Sequence, residues 1–397
     1  MSGIMVVFGT RPEAIKLLPV IDALKARGAP VQVCVTAQHR ELLDRVLGPG
    51  TVFPDIDLDL MRPGQSVAAL TGAIIAALGR VYESARPHHV VVQGDTATAL
   101  AAAQAAYFAR ISVAHVEAGL RTGDLAGPHP EEGNRRMIAT IAAAHFAPTQ
   151  TAADALIREG VDPASIHVTG NTVVDALEAA RASLRAHPEL AADVNSVLRQ
   201  AQGRKLVLVT CHRRENLARM GEVAEAVAQL AARPDVMVAV ILHPNNAARA
   251  PFLARLRPAP GLMLLGPLDF LPFTALLGRA YLALTDSGGV QEEAPVLGTP
   301  VLVLRNRTER PESVIAGSSI LVGTDVGRIV ATATRVLDDE LLHARMARRH
   351  SPYGDGRAAE RIAGILCDST TQPSRSRAKD RTSAPMSARS SASAKLA

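Results

Sequence analysis

The run Thr285-Asp286-Ser287-Gly288-Gly289-Val290-Gln291-Glu292-Glu293 carries the densest chemical signal in the chain. A strand passing into Ser-Gly-Gly at a helix start presents unpaired backbone N–H groups to a diphosphate, and Glu293, one turn on, can accept hydrogen bonds from ribose hydroxyls. A second anion signal is Gly9-Thr10-Arg11-Pro12-Glu13-Ala14-Ile15-Lys16. Pro12 suits a first helical turn, and the free amides with Arg11 and Lys16 could hold a phosphate; an ordinary capped helix with surface charges is the alternative. A dinucleotide fingerprint is excluded, because GxGxxG is absent here and Gly48-Pro49-Gly50 lacks its third glycine.

Acids gather in three other places: Gln93-Gly94-Asp95-Thr96, His115-Val116-Glu117-Ala118-Gly119-Leu120-Arg121-Thr122, and Pro130-Glu131-Glu132-Gly133-Asn134-Arg135-Arg136. Carboxylates converging on one pocket raise one another's proton affinity, which suits acid–base work on a weakly acidic C–H bond. The bland readings are that Asp95 caps the helix after it, and that Glu131 and Glu132 complement a helix N-terminus with Glu131 paired to Arg135. His212, within Thr210-Cys211-His212-Arg213-Arg214-Glu215-Asn216, and His243, before Pro244, follow further strands, where a histidine serves as acid or cation or simply as a bonded structural residue.

These clusters must be held by the elements between them. Short β-branched runs at 4–8, 31–36, 89–93, 112–116 and 144–147 alternate with helical patterns such as 13–27, 66–85 and 96–109. After a pause at 168–171 and a helical stretch at 173–184, strands at 205–210, 236–242, 262–265, 281–285, 301–304 and 319–322 continue the pattern. Such alternation predicts parallel sheets covered on both faces, with ligands beyond the carboxyl ends of the strands. The expected architecture is α/β: two Rossmann-like doubly wound domains flanking a cleft, at 1–170 and 171–350, then a C-terminal helix at 351–368 and a disordered Ser/Arg-rich tail at 369–397.

Composition agrees with an ordinary globular body, 48% hydrophobic and 20% charged over 397 residues. The net charge of +5 resembles a nucleic-acid signature until it is divided. Six of the 43 basic residues but one of the 38 acids lie at 369–397, so 37 of each remain over 1–368. No nucleic-acid partner is therefore expected. Cys34, Cys211 and Cys367 form no zinc or disulfide spacing, which fits a reducing cytoplasm, and no stretch reads as ~18 uninterrupted apolar residues, so no membrane association is expected.

Taken in order, the motif blocks above, with Glu309-Arg310-Pro311-Glu312, resemble the non-hydrolysing UDP-N-acetylglucosamine 2-epimerases from Gly9 to about Leu366. The resemblance implies a GT-B-like pair of domains, a homodimer, no cofactor and no metal. The implied reaction inverts C2 of UDP-N-acetylglucosamine through elimination of UDP and re-addition. By the same resemblance Asp95, Glu117, Glu131 and His212 are the catalytic set, and Arg11, Lys16, Arg135, Phe273, Ser287, Gly288, Gly289, Glu293 and Arg310 hold the substrate. Leu268 stands where some members carry glutamine. Some bacterial members bind a second, activating UDP-N-acetylglucosamine; Gln38, His39, Arg213 and His243 match that allosteric site, whereas Glu41 and Gly64 replace its glutamine and arginine. A GT-B glycosyltransferase, a hydrolysing epimerase and a non-enzymatic sensor are the other readings of one UDP-sugar clamp.

Overall fold

The computed structural model of the chain describes residues 3–36, 54–62 and 64–371. Seven parallel strands, β1 (Ile4–Phe8), β2 (Val31–Val35), β3 (Ile56–Asp57), β4 (His89–Gln93), β5 (Ser112–Val116), β6 (Ala144–Ala147) and β7 (Ile166–Val168), form one sheet in the order β3-β2-β1-β4-β5-β6-β7. Six more, β8 (Lys205–Thr210), β9 (Val236–Ile241), β10 (Leu262–Leu265), β11 (Leu282–Thr285), β12 (Val301–Val303) and β13 (Ser319–Leu321), form a second in the order β10-β9-β8-β11-β12-β13. Each sheet reverses its winding beside its first strand, which opens a crevice past the carboxyl ends of β1 and β4 and of β8 and β11. The polar motifs lie at these four ends and at those of the neighbouring strands β5 and β9.

The strands are continuous apolar runs because helices cover both faces; every residue of β1 is buried. The Ala97–Phe108 helix is apolar on nearly all sides and sits between the sheet and the Val67–Ala85 helix, with Ala99, Ala101, Ala102, Ala103 and Ala106 sealed from solvent. Small side chains permit that close approach. The Val67–Ala85 helix has the length and mean hydropathy of a membrane span. It nevertheless carries Arg80 and Glu83, and packs Leu70, Ile74, Leu78 and Tyr82 into the protein core.

Two elements tie the halves together. Asn171 caps the Thr172–Ala186 helix, accepting from the Val173 amide at 3.1 Å, and this helix packs on both Arg11–Ala26 and Gly288–Leu297. The last helix, Ala358–Thr371, returns to Arg11–Ala26, adding Ala359, Ile362, Ala363 and Leu366 to the first sheet's core. It runs past the expected end of this element at 368. Residues 372–397, most of the expected tail, lie outside the described residues, as do Gln38, His39 and Glu41. The edge strands β3 and β7 were not foreseen, being two and three residues long and too short to show periodicity.

Candidate active site

A cleft of about 620 Å³ opens between the two sheets' carboxyl ends. Asp95, Glu117 and Glu131 line it together with His212, and so do Arg11, Lys16, Phe273, Ser287, Gly289, Glu293 and Arg310. Arg213, His243 and Leu268 line it as well. Gly288 lies behind the wall; a side chain there would strike the Arg310 guanidinium. Arg135 is buried beneath the wall and reaches Asp95 at 2.9 Å.

Local structure explains the placement of each acid. Thr96, rather than Asp95, caps the Ala97–Phe108 helix, accepting from the Ala99 amide at 3.0 Å, so the capping alternative for Asp95 does not hold. The Asp95 carboxyl is pushed up by burial, only partly offset by Arg135. Glu117 follows β5 with φ +65°, a left-handed conformation costing a non-glycine residue roughly 1–3 kcal/mol. Gly119, two residues on, stands so close to the Ala152 carbonyl that no Cβ fits. Among the described residues no hydrogen bond or ion pair holds the Glu131 carboxylate. Of Glu131, Arg135 bonds the backbone carbonyl alone, at 3.3 Å, and the carboxylate it approaches on its own helix is Glu132, at 3.6 Å, which corrects the expected Glu131–Arg135 pairing. Glu132 itself anchors the preceding loop through the Thr122 and Gly123 amides, at 3.0 and 3.2 Å.

The first helix start also differs from expectation. Glu13 Oε2 accepts from the Gly9 and Thr10 amides at 3.1 and 2.8 Å, and its other oxygen accepts from Thr96 at 2.6 Å. Those amides are thus committed to an internal carboxylate, whose pKa burial raises. Of this segment's charged side chains, Arg11 and Lys16 line the cleft. Lys16, expected beside a phosphate, instead donates to Glu117 and, at 3.0 Å, to Glu292. Burial alone would discharge this lysine, but Glu117 and Glu292 more than offset that and hold it protonated.

On the opposite wall Asp286, fully buried, organises the His212 loop. It accepts from the His212 and Arg213 amides at 3.0 and 2.8 Å, from Asn216 at 2.9 Å and from the Cys211 thiol at 3.2 Å. Its Oδ1 lies 3.5 Å from His212 Nδ1, and the His212 ring stacks on His243 with centroids 5.2 Å apart. Burial lowers the His212 pKa against the pull of Asp286, which favours the neutral ring as a proton acceptor. Glu293 faces the cleft with its carboxyl pushed up to about 7, by burial first and by Glu292 next.

Glu13, Asn171, Asp286 and Glu292 are the structural partners that sequence reasoning left without roles. Asp286 and Glu292 lie inside the Ser-Gly-Gly run, and Glu13 inside the first motif, so their presence was visible although their orientation was not. No cluster of metal-ligating side chains occurs among the described residues.

Comparison with known proteins gives the same picture. A family model described as UDP-N-acetylglucosamine 2-epimerase matches residues 22–367. The UDP-N-acetylglucosamine 2-epimerase of Yersinia pestis is 48% identical over 369 residues, covering 91% of this chain and 98% of that protein. A crystal structure of the Neisseria meningitidis UDP-GlcNAc 2-epimerase bound to UDP-GlcNAc superposes with TM-score 0.89 at 40% identity, covering 92% of this chain and 99% of that one. The Methanocaldococcus jannaschii enzyme, solved with UDP-GlcNAc and UDP, gives 0.82 at 33% identity, covering 92% and 99%. With both sheets, their strand order and the cleft residues accounted for, the chain belongs to the UDP-N-acetylglucosamine 2-epimerase family.

Proposed function

We propose that this protein interconverts UDP-N-acetylglucosamine and UDP-N-acetylmannosamine, supplying a donor sugar for bacterial surface polysaccharide. The observation that carries the reading is the meeting of Asp95, Glu117, Glu131 and His212 in one cleft with Arg11, Arg310 and the Ser287–Gly289 turn. The C2–H bond is feebly acidic, so its cleavage must be coupled to loss of a stabilised leaving group. A carboxylate takes the C2 proton while the C1–O bond to the diphosphate breaks anti to it, and the electron pair leaves with UDP. A C1=C2 double bond, 2-acetamidoglucal, remains. A protonated acid then delivers a proton to the other face of C2 as a UDP oxygen re-forms the C1 bond. The Glu293 carboxyl, pushed up to about 7, suits proton carriage near neutrality, burial raises that of Asp95 as well, and His212 stands where it can hydrogen-bond the departing diphosphate. Arg11, Arg310 and the amides after β11 form the nucleotide side.

Incubation with UDP-N-acetylglucosamine alone in D₂O, followed by NMR, tests this. Deuterium at C2 and the C2 epimer are expected. Free N-acetylmannosamine with UDP would identify a hydrolase, and an unchanged sugar would overturn the assignment.

The working form is inferred to be a homodimer. Tyr107 and Phe108 end one helix 56% and 69% exposed, with Met137 46% exposed on the helix packed beside it. Such exposed apolar side chains on two packed helices suit pairing with a second copy. Sedimentation equilibrium of wild type and Phe108→Glu should show a dimer weakened by the substitution. A cytoplasmic setting is in keeping with its free thiols, Cys34 and Cys211 being buried.

A further inference from the structure

Two carboxylates from opposite halves share the same three donors. Glu117, at the end of β5, accepts from Lys16 Nζ, from Asn171 Nδ2 at 2.9 Å and from Arg310 Nη2 at 3.4 Å. Glu292, in the Gly288–Leu297 helix after β11, accepts from Lys16 Nζ at 3.0 Å, Asn171 Nδ2 at 3.1 Å and Arg310 Nε at 2.6 Å. Two cations face these two anions, and Glu309, which also takes a donor of Arg310, is matched by Arg305. The two carboxylates differ in access. Glu117 lines the cleft, whereas Glu292 is fully buried behind it and is not part of its lining. Its helical neighbour Glu293 takes the cleft-facing position instead.

We propose that Glu292 is a positioning residue for Glu117: by engaging Lys16, Asn171 and Arg310 from the second half, it aims their remaining donors at Glu117 and shares their charge. Asn171 is the shared pivot, since its Nδ2 bridges both carboxylates while its Oδ1 caps the Thr172–Ala186 helix. The first-half acid is therefore held in its left-handed conformation by donors that a second-half acid keeps in place. Without Glu292, both cations would act on Glu117 alone. It would be a weaker base, and the guanidinium would lose the partner that sets its plane. Other groups act on the pair and are untouched by the changes below: Asp95 and His115 on Glu117, and Glu293 and Tyr353 on Glu292.

The inference rests on the epimerase reading, and two variants separate the two. Glu292→Gln keeps the shape and removes the charge. Asn171→Ser keeps a helix cap, serine being an efficient one, and removes only the bridge. C2 deuteration in D₂O is measured across pH for wild type and both. Glu292→Gln should lower kcat at least about 10-fold with UDP affinity within about 3-fold, and move the acidic limb of kcat/KM to lower pH, because two cations now favour ionised Glu117. Asn171→Ser should lower kcat about 3- to 10-fold and move the same limb to higher pH, because ionised Glu117 loses a donor. Opposite displacements are a signature that general loosening of the fold would not produce. Limbs that stay at the wild-type pH, or move together, overturn the role of Glu292. Should Glu292→Gln fail to fold by circular dichroism, Asn171→Ser decides alone, an unmoved limb overturning the proposal. Absence of exchange in the wild type would instead remove the epimerase reading.

Discussion

At the carboxyl ends of β4 and β5, Asp95 and Glu117 stand with Glu131 on the cleft wall, whereas at the end of β11 Asp286 turns inward and accepts from the thiol, amides and side-chain amide around His212. Glu292 and Glu309, also of the second half, are likewise buried, Glu309 bonded to Arg305 at 2.8 Å and to Arg310. The same residue type thus does two jobs. Asp95, Glu117 and Glu131 face the solvent-accessible space where a proton can move, whereas Asp286, Glu292 and Glu309 are buried and fix the groups around the second half's wall. Equivalent crevices in two sheets of similar winding have been specialised by which way a carboxylate points rather than by composition.

The sharpest way to break this comparison is to neutralise acids on either wall. Asp95→Asn, Glu117→Gln and Glu131→Gln should each lower kcat by about 10²–10⁴, the range expected for loss of an acid–base group. UDP should still bind within a few-fold by calorimetry. Retention of near-normal turnover by all three would remove the catalytic distinction between the halves. Asp286→Ala should act chiefly on stability: it strands several donors of a charge-assisted cluster and should cost on the order of 3 kcal/mol in urea denaturation. A loss confined to kcat, with stability intact, would place Asp286 among the chemical rather than the structural acids.

Much of this arrangement was legible in the chain. Strand–helix alternation and polar motifs at strand ends located the sheets and the cleft, since ligands in open α/β sheets lie at those ends. Three matters were not legible, for physical reasons. Adjacent residues on a helix differ by roughly 100° in direction, so Glu292 and Glu293 look equivalent in sequence while one is entombed and the other faces the cleft. Asp95 and Thr96 are both good caps, and only the backbone decides that Thr96 takes that role. Glu13 reads as a first-turn acid, and nothing local reveals that its second oxygen meets Thr96. Lys16 is the same kind of case, since its partners lie 101 and 276 residues away.

Glu293, the second-half acid that does face the cleft, sharpens the comparison through pH. Its carboxyl is pushed up to about 7 from 4.5. The native chain therefore holds that proton more tightly than the unfolded chain does, and stability should decline as pH rises from about 4.5 to about 7, then level off. The contribution is on the order of 2–3 kcal/mol. Glu293→Gln should remove that part of the slope when unfolding is compared at pH 5 and pH 8. Parallel curves for variant and wild type would show that Glu293 is solvated like an ordinary surface acid.

The smallest effect concerns the junction of Asp95 with its helix. Thr96→Ala deletes a cap and the bond to Glu13, and should cost about 1–2 kcal/mol. Asp95→Asn should leave stability nearly unchanged, because the burial that raises its pKa offsets what Arg135 supplies. The activities should run the other way: Asp95→Asn should nearly abolish turnover, while Thr96→Ala should keep most of it at temperatures well below its Tm. Chemical denaturation and C2 exchange on the same two proteins give the four numbers. If Asp95→Asn were the more destabilising of the two, capping would return to Asp95. The division between a residue that holds the helix and its neighbour that turns its carboxyl to the cleft would then fail at the one place where the two are adjacent in sequence.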